Sequence, residues 1–572
     1  MIVHSLLPLR WLVVAAALAA ALPAPFSASS PAALPQGKPP AKGSGKAPPA
    51  PPSPVDEAFL VYRERVKRPA LFKRTRGRET LARTGDRRAL EQLIEDYQKP
   101  EEPKDRVRAL IADLTTSHCT DPSLLPLYAQ WRAAQKKPED AWLWTRSLRL
   151  HARHDDLATV DAAVASAPSL ALRCAAIAAL APTAPRGTQA QQAAACLAKI
   201  PALLATKSAN PAEAGALAQI VAGLLLAAKE ARDGEAFPPA CSALIATLES
   251  KTLPATSKRV VARHLARLFD KQGIPDLNPE VWKRELAARA WTQKREAERP
   301  GYGASFAGIP AGGLRFCYVI DCSDSMLKQV AGRAREKASD TGPKKKPDSS
   351  GLPAINWDKV DTRFDLAREL VLASIRQLDE SKKFAIVLFG DGAEPMAATP
   401  ELVPASKKNV ARVEAELAAM HAGPATSERP DGTLLGKTNL QGGLDRAFRI
   451  TTSGLEAKAD WTDLERIEAG ADTVFLFSDG EPSWDDFDAL DAPDDDDIIG
   501  DPETRAPLAK QPVLHCFGPY VEHHHLVNEV RRLNFFRGVE IHCVGTGEAP
   551  MGLLEQLAAI GLGTTKQIGQ DK

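Results

Sequence analysis

The chain has almost no net charge, and this absence narrows the kinds of partner it could have. Its 572 residues include 73 Lys and Arg against 72 Asp and Glu, a formal net charge of +1. No global field therefore draws it to nucleic acid or to an anionic membrane surface. Beyond its first residues it also lacks an apolar run of the roughly 20 residues that a transmembrane helix needs, so no stable membrane span is expected.

The common signatures of several enzyme classes are also missing. No H-E-x-x-H, G-x-S-x-G or C-x-x-C pattern occurs. Residues 325–328 match the S-x-x-K of serine β-lactamases, but the companion motifs follow in the wrong order. Residues 436–438 lack the first glycine of a phosphate-binding loop, because Asp431 stands in its place. We therefore expect that the protein is not an enzyme. A metal-assisted hydrolase is the least favoured function, since no general base is convincingly placed.

The first residues indicate export. Arg10 precedes a short apolar run over residues 11–22, which suits the core of a secretory signal peptide over residues 1–28. Residues 29–54 contain nine prolines from Pro31 to Pro54 and few bulky apolar residues, which is typical of an extended linker. The protein is expected in the periplasm or outside the cell.

The eight cysteines are compatible with disulfides in an exported protein. However, Cys174 and Cys196 lie in alanine-rich helical runs, and Cys317 and Cys543 lie in apolar strand runs. Positions of this kind usually hold buried free thiols that pack as small apolar side chains. We therefore favour unpaired cysteines.

Residues 55–298 have a helical pattern throughout. Apolar residues recur at helical spacing over residues 87–97, 106–114, 124–134 and 259–269, and prolines separate many of these stretches. The spacing loosely resembles HEAT-type helical repeats but has no fixed period, so a helical-repeat domain and an irregular bundle both remain open. Because no catalytic constellation lies here, scaffolding or partner binding is the expected role.

From residue 312 to residue 572 the pattern changes to alternating strands and helices. Apolar runs over residues 314–320, 384–389, 473–477 and 539–544 predict strands buried on both faces. Helices are predicted over residues 363–378, 407–420, 439–450, 526–533 and 551–560. This alternation predicts an α/β domain with a Rossmann-like, doubly wound and mostly parallel sheet, whose ligands lie outside the carboxyl ends of its strands.

Three short segments rich in oxygen donors lie at the expected places. A D-x-S-x-S sequence over residues 321–325 follows the first strand, and Ser478-Asp479-Gly480 ends the third. Between them, residues 436–440 (G-K-T-N-L) begin a helix. D-x-S-x-S alone is a weak signal because Ser and Asp are ordinary turn residues. The three segments together are a strong one.

In these segments the chain resembles the von Willebrand factor A-type (VWA) family, from about residue 314 to the end. That family has a metal-ion-dependent adhesion site (MIDAS) built from D-x-S-x-S, a threonine in a G-x-T-N-like turn and an aspartate in a strand-ending D-G. The resemblance implies five metal ligands, Asp321, Ser323, Ser325, Thr438 and Asp479. Such an all-oxygen set suits a hard ion such as Mg²⁺ or Mn²⁺. In this family a partner's Glu or Asp completes the coordination.

The expected function is therefore metal-dependent binding of a protein partner through its Asp or Glu carboxylate, with the helical half as a second interaction surface. The alternative is a structural or assembly component in which the metal only stabilises the fold. Two features depart from the family pattern. Asp324 stands where the family often has glycine, and it could tighten cation binding or point into water. The domain also carries insertions.

Two of these insertions have opposite charge. A basic one runs from Lys328 to Lys346 and an acidic one from Asp485 to Asp501. Both should rim the metal site, either as solvated loops or as a lid. His523-His524-His525 could bind a metal, but consecutive residues at a helix start face different directions. A solvated run is therefore favoured there.

The signal-peptide prediction has a direct test. We expect the mature protein to lack its first 24 to 28 residues, because the short apolar run is followed by small residues, with Ala24 and Ala28 as candidate cleavage positions. N-terminal sequencing of protein from the native host checks this. An intact Met1 on protein from a cytoplasmic fraction would contradict it.

Overall fold

The computed structural model describes residues 52–182, 189–206, 208, 210–271, 273–292, 305–310, 312–330, 355–423, 436–483 and 518–568. The predicted signal peptide, nearly all of the predicted linker and most of both charged insertions lie outside these residues. The described residues belong to one compact unit. Within them, no helix combines the length and apolarity that crossing a bilayer requires.

The first half of the described chain is helical, as predicted. Its helices are α1 (Pro54–Arg65), α2 (Leu71–Ala82), α3 (Arg87–Gln98), α4 (Lys104–His118), α5 (Leu125–Ala134), α6 (Ala141–Arg153), α7 (Leu157–Ser166), α8 (Leu170–Ala179), α9 (Gln189–Leu204), α10 (Pro211–Ala227), α11 (Phe237–Thr247), α12 (Ala255–Leu268) and α13 (Pro279–Ala287). Several of these helices begin at a short polar side chain that accepts a hydrogen bond from a free N–H group of the first turn. Asp86 does so for α3, and Asn210 does so for α10. The four stretches of apolar periodicity over residues 87–97, 106–114, 124–134 and 259–269 correspond to α3, α4, α5 and α12.

The even-numbered helices of this half form a continuous row. Each of α2, α4, α6, α8 and α10 packs on the next even-numbered helix, ending at α12. The odd-numbered helices α1 to α11 each pack against a neighbouring member of this row. This alternation is the order of a helical-repeat array rather than that of an irregular bundle. We call α2, α4, α6, α8, α10 and α12 the even row.

The second half is built on a mixed, mostly parallel sheet. Its strands are β3 (Arg315–Asp321), β4 (Lys383–Phe389), β5 (Ala393–Pro395), β6 (Val403–Pro404), β9 (Thr473–Ser478), β10 (Glu540–Thr546) and β11 (Thr565–Ile568). Their order is β11-β10-β9-β3-β4-β5, with β6 also beside β4. The pairs from β11 to β4 are parallel, and only β5 and β6 run antiparallel. Two small hairpins pair β1 (Ser305–Phe306) with β2 (Ile309–Pro310) and β7 (Ile450–Thr451) with β8 (Gly454–Leu455).

Helices cover both faces of the sheet, as a doubly wound fold requires. They are α14 (Arg363–Ile375), α15 (Lys407–Ala419), α16 (Leu440–Arg449), the short α17 (Leu464–Ile467), α18 (His523–Leu533) and α19 (Met551–Ile560). Side chains of β3 alternate between the faces: Tyr318 packs with α14, and Cys317 and Val319 pack with α16. The predicted fold class, a helical half followed by an α/β half, is confirmed.

The two halves share one core. The buried apolar side chains of the even row, of α16, α18 and α19, and of one sheet face form a single cluster. Trp142 of α6 meets Phe535 edge to face, with ring centroids 6.5 Å apart. Arg106 of α4 pairs with Asp445 of α16 at 3.0 Å, and both side chains are largely buried. The even row is therefore covered by the chain's own α/β half at these positions.

Helix α12 fastens the helical half to the amino-terminal edge of the sheet. Three arginines spaced four residues apart lie on one face of this helix and donate to backbone carbonyls that precede strands. Arg259 Nη1 lies 2.6 Å from Gly312 O, Arg263 Nη1 lies 2.9 Å from Gly538 O, and Arg267 Nη2 lies 2.6 Å from Leu562 O. The edge opposite the predicted metal site is thus closed by hydrogen bonds within the chain.

Arg263 also meets a buried carboxylate. Its Nε lies 3.6 Å from Glu540 Oε2 at the start of β10. Burial acts to raise the pKa of Glu540, but Arg263 and His542 outweigh it and lower that pKa to about 2. Of the groups that keep this carboxylate charged, Arg263 has the largest effect.

The described cysteines are buried and free, as favoured from the sequence. They are Cys119, Cys174, Cys196, Cys241, Cys317, Cys322 and Cys543. Cys516 lies outside the described residues. Burial raises the pKa of Cys196 to about 11, so this thiol is a poor nucleophile at neutral pH.

Replacing Arg263 should destabilise the whole unit. We expect Arg263→Met to lower the free energy of unfolding by about 2–3 kcal/mol, because Glu540 stays buried without its counter-charge. Urea unfolding at pH 7 measures this. The matched control is Arg87→Met, which breaks an exposed pair with Glu91 and should cost less than about 1 kcal/mol.

The Arg263 effect should also depend on pH. The folded-state pKa of Glu540 is lowered, so its stabilising contribution is complete above the ordinary glutamate pKa of about 4.3 and is lost as pH falls toward 2. The difference between wild type and Arg263→Met should therefore shrink below about pH 4. A difference that stays constant from pH 6 to pH 3 would contradict the assigned ion pair.

Candidate metal site

Two aspartates meet at the carboxyl edge of the sheet because their strands are parallel neighbours. Strand β3 ends at Asp321, and β9 ends at Ser478, directly before Asp479. The register pairs Ile320 with Phe477, so Asp321 and Ser478 are level. The Ser478 hydroxyl donates to Asp321 Oδ2 at 2.6 Å. The parallel pairing thus brings together residues more than 150 positions apart.

The D-x-S-x-S segment forms a tight turn around these carboxylates. The Ser323 backbone N–H donates to Asp321 Oδ1 at 2.9 Å. The Ser323 and Ser325 hydroxyls lie 3.0 Å apart, and the Ser325 hydroxyl donates to Asp479 Oδ1 at 2.6 Å. Four of the five predicted ligands are therefore linked directly by hydrogen bonds.

Thr438 completes the set from a third segment, just before α16. Its backbone N–H donates to Ser483 Oγ at 3.0 Å, and its carbonyl accepts from the Ser483 N–H at 3.1 Å. A Cβ placed on Gly480 would lie 3.5 Å from both the Thr438 and the Ser325 hydroxyl oxygens. The threonine hydroxyl therefore faces the same small space as Ser325, and all five predicted residues lie together.

Asp391 holds the Thr438 turn in place. Its Oδ1 accepts the Lys437 N–H at 2.8 Å, and its carbonyl accepts from Asn439 Nδ2 at 3.0 Å. Asn439 also caps α16 by accepting the Gly442 N–H at 2.8 Å. These bonds anchor the turn to the loop that follows β4.

The site has two buried negative charges and one exposed side. Asp321 and Asp479 are buried at 0% and 1% exposure, whereas Ser325 is half-buried. Burial, together with the nearby charge of Asp479, raises the pKa of Asp321 to about 7. Two carboxylates so close in a buried place repel each other unless positive charge lies between or beside them.

One such positive charge comes from Arg363, which the sequence analysis did not identify. Arg363 Nη1 lies 2.6 Å from Asp479 Oδ2, and Nη2 lies 2.7 Å from Glu548 Oε2. Arg363 begins α14, and Glu548 follows β10, so neither adjoins the motif segments. No local sequence signal marks them. Asp391 was also missed, although it closely follows a predicted strand, and the hydrogen bond from Ser478 to Asp321 was not foreseen.

Asp324 and the histidine run over residues 523–525 were both considered from the sequence, and they differ in burial. Asp324 is exposed, and its carboxylate lies so close to the backbone of Gly436 and Gly423 that a side chain at either position would collide with it. It therefore packs against the backbone at these two glycines. The expected solvated histidine run is wrong for His525, which is buried because the first turn of α18 directs its ring inward.

The donor chemistry of the five residues fits a divalent ion. Asp321 and Asp479 supply charge, and three hydroxyls supply neutral oxygens. Each carboxylate oxygen accepts one hydrogen bond or ion pair within the site and keeps a second lone pair. The single guanidinium balances only one of the two carboxylates. A second positive charge would therefore be stabilised here.

Comparisons with known proteins do not assign a family. No protein-family model and no curated protein matches the chain. Among solved structures, a chain described as von Willebrand factor type A from Catenulispora acidiphila is similar, with 18% identity and a TM-score of 0.25. The matched region covers 45% of this chain, and the chain spans only 38% of that protein's length. The chemistry of the site must therefore be argued from its own residues.

Arg363 should be required for the stability of the protein without added metal. We expect Arg363→Met to lower the free energy of unfolding in EDTA by about 3 kcal/mol, because it leaves Asp479 buried and unpaired. Arg376→Met is the matched control: it lies at the end of the same helix, pairs with Glu414 at the surface, and should cost less than about 1 kcal/mol. Equal effects of the two substitutions would show that the Asp479 pair has no special role.

Proposed function

We propose that the α/β half is a VWA-type domain whose MIDAS binds Mg²⁺ or Mn²⁺ and captures a carboxylate of a protein partner. The observation that supports this best is the convergence of five oxygen-bearing side chains from three distant segments at one sheet edge, namely Asp321, Ser323, Ser325, Thr438 and Asp479. Turn chemistry alone would not bring three such segments to one point.

The balance of charged and neutral ligands explains why such a site would bind rather than only store an ion. When bound, the metal would supply a Lewis-acidic centre that attracts an external carboxylate. Hydroxyl ligands fill coordination positions without adding negative charge, so two carboxylates do not quench a divalent ion completely. Ser325 lies at the exposed side, where a partner's Asp or Glu could approach.

The helical half supports this proposed role by holding the α/β half in place. The arginines of α12 bind the amino edge of the sheet, opposite the five residues. The even row also packs against α18, which begins close to the site. We further propose that the protein works outside the cytoplasm, where an exported chain would meet its partner, and that it binds without turnover.

Metal binding is the first test of the proposal. Calorimetric titration of the full chain with Mg²⁺ and Mn²⁺ should show at least about a tenfold loss of affinity in Asp321→Ala and Asp479→Ala, because the fixed charge comes from these residues. Thr438→Ala removes one neutral oxygen and should be milder. Asp379→Ala, an exposed aspartate that caps the turn before β4, is the matched control and should not change affinity.

The outcome is interpretable only if the variants fold. Circular dichroism and thermal unfolding should therefore accompany each titration. A folded wild-type protein with no more affinity for Mg²⁺ than folded Asp479→Ala would remove the metal site and the function that depends on it.

Partner capture separates adhesion from a purely structural metal. Immobilised wild-type protein should retain a partner from native extract in Mg²⁺ and release it in EDTA, whereas Asp479→Ala should retain none. If Mg²⁺ raises thermal stability but the captured proteins are the same with and without EDTA, the metal only stabilises the fold. Turnover that is lost in Asp479→Ala would instead indicate a hydrolase.

A further inference from the structure

A second group of metal-ligating side chains lies at the amino end of α18, apart from the five-residue site. Glu522 directly precedes the helix, and His524 and His525 lie in its first turn. Among the described residues, the ligand atoms of these three side chains all lie within 4.8 Å of one another. Their nitrogens and oxygen form a donor set different from the all-oxygen set of the first site.

The Glu522 oxygen lies at nearly the distance from each imidazole nitrogen that two ligands of a tetrahedral ion require. Glu522 Oε2 lies 3.7 Å from His524 Nε2 and 3.6 Å from His525 Nε2. Zinc bonds of about 2.0–2.1 Å place neighbouring tetrahedral ligands about 3.4 Å apart. The observed separations therefore need to close by only a few tenths of an ångström. The two imidazole rings already lie together, with centroids 3.9 Å apart.

His525 gives independent evidence for a ligand at this position. It is only 2% exposed, and neither of its ring nitrogens has a hydrogen-bond partner. Buried polar atoms are rarely left unsatisfied, because losing water without gaining a partner costs about 1–3 kcal/mol. Its Nε2 faces Glu522 Oε2, the atom that also faces His524. A bound ion would satisfy this nitrogen.

The surroundings hold Glu522 in position for this role. Its other oxygen, Oε1, pairs with Arg76 of α2 in the helical half. Arg76 also lies 3.7 Å from Glu79, whose carboxylate is 4.0 Å from His118 Nε2 at the end of α4. Arg76 thus engages one oxygen of Glu522 and leaves the other directed at the two imidazoles.

We propose that Glu522, His524 and His525 form a binding site for a transition-metal ion of borderline softness, such as Zn²⁺. Two imidazoles and one carboxylate favour such an ion over Mg²⁺, which prefers oxygen ligands alone. The His524 side chain is 57% exposed and gives the ion access from solvent. Because Glu522 is tied to Arg76, a bound ion would strengthen the contact between the helical half and α18.

The site can be tested on the full chain by zinc titration against a chromophoric chelator in excess Mg²⁺. The wild type should bind one Zn²⁺ at this site, and His524→Ala and Glu522→Gln should each weaken binding at least about tenfold. Replacing Zn²⁺ by Co²⁺ should give the intense visible absorption of a tetrahedral ion in the wild type and lose it in His524→Ala. Zinc should also raise the midpoint of thermal unfolding of the wild type, but not that of His524→Ala or Glu522→Gln.

Two matched variants make the result decisive. His523→Ala removes a neighbouring histidine that pairs instead with Glu481, at 2.6 Å, and it should keep the wild-type zinc affinity. An equal loss in His523→Ala and His524→Ala would indicate loose chelation by the histidine run and overturn the proposal. Asp321→Ala should also keep zinc binding. If Asp321→Ala abolishes zinc binding, the ion occupies the first site and the second site is refuted. This result would not depend on whether the proposed adhesion function is correct.

Discussion

The parallel pairing of β3 with β4 and β9 is the constraint on which the rest of the structure depends. Parallel strands end at one edge, so every polar residue that follows them is forced into the same small volume. Asp321 and Asp479 are brought close together in this way, at a considerable electrostatic cost. The hydroxyls of Ser325 and Ser478 and the Arg363 guanidinium offset part of that cost.

The amino and carboxyl edges of the sheet differ in their hydrogen bonding. At the amino edge, arginines of α12 saturate the carbonyls that precede β3, β10 and β11 with hydrogen bonds from within the chain. At the carboxyl edge, side-chain oxygens keep lone pairs and one side faces water. The helical half therefore stabilises the sheet from the end at which no ligand is expected. The α/β half of the same chain packs on the even row. This contact leaves less of the helical half exposed as the second interaction surface inferred from the sequence.

The two proposed ion sites differ in chemistry, so each can select its own metal. The first has only oxygen donors and suits a hard ion, whereas the second has two imidazoles and suits a softer one. They are also physically connected. His523, beside the second group, pairs with Glu481, which is two residues beyond Asp479. The first turn of α18 therefore carries two residues of the second group and contacts the loop that follows Asp479 of the first.

The local elements could be read from the amino-acid pattern alone, and the resemblance of three short segments to the VWA family implied the five candidate ligands. Helical periodicity located α3, α5 and α16 closely, and apolar runs located the buried strands, because both patterns arise within one element. The motif segments were recognisable because each is short and contiguous. Three contacts became visible only in the folded chain: Arg363 pairs with Asp479, His525 is buried opposite Glu522, and the even row packs on the α/β half. These contacts join residues distant in sequence or depend on the direction of a single helical turn, and no local pattern encodes them.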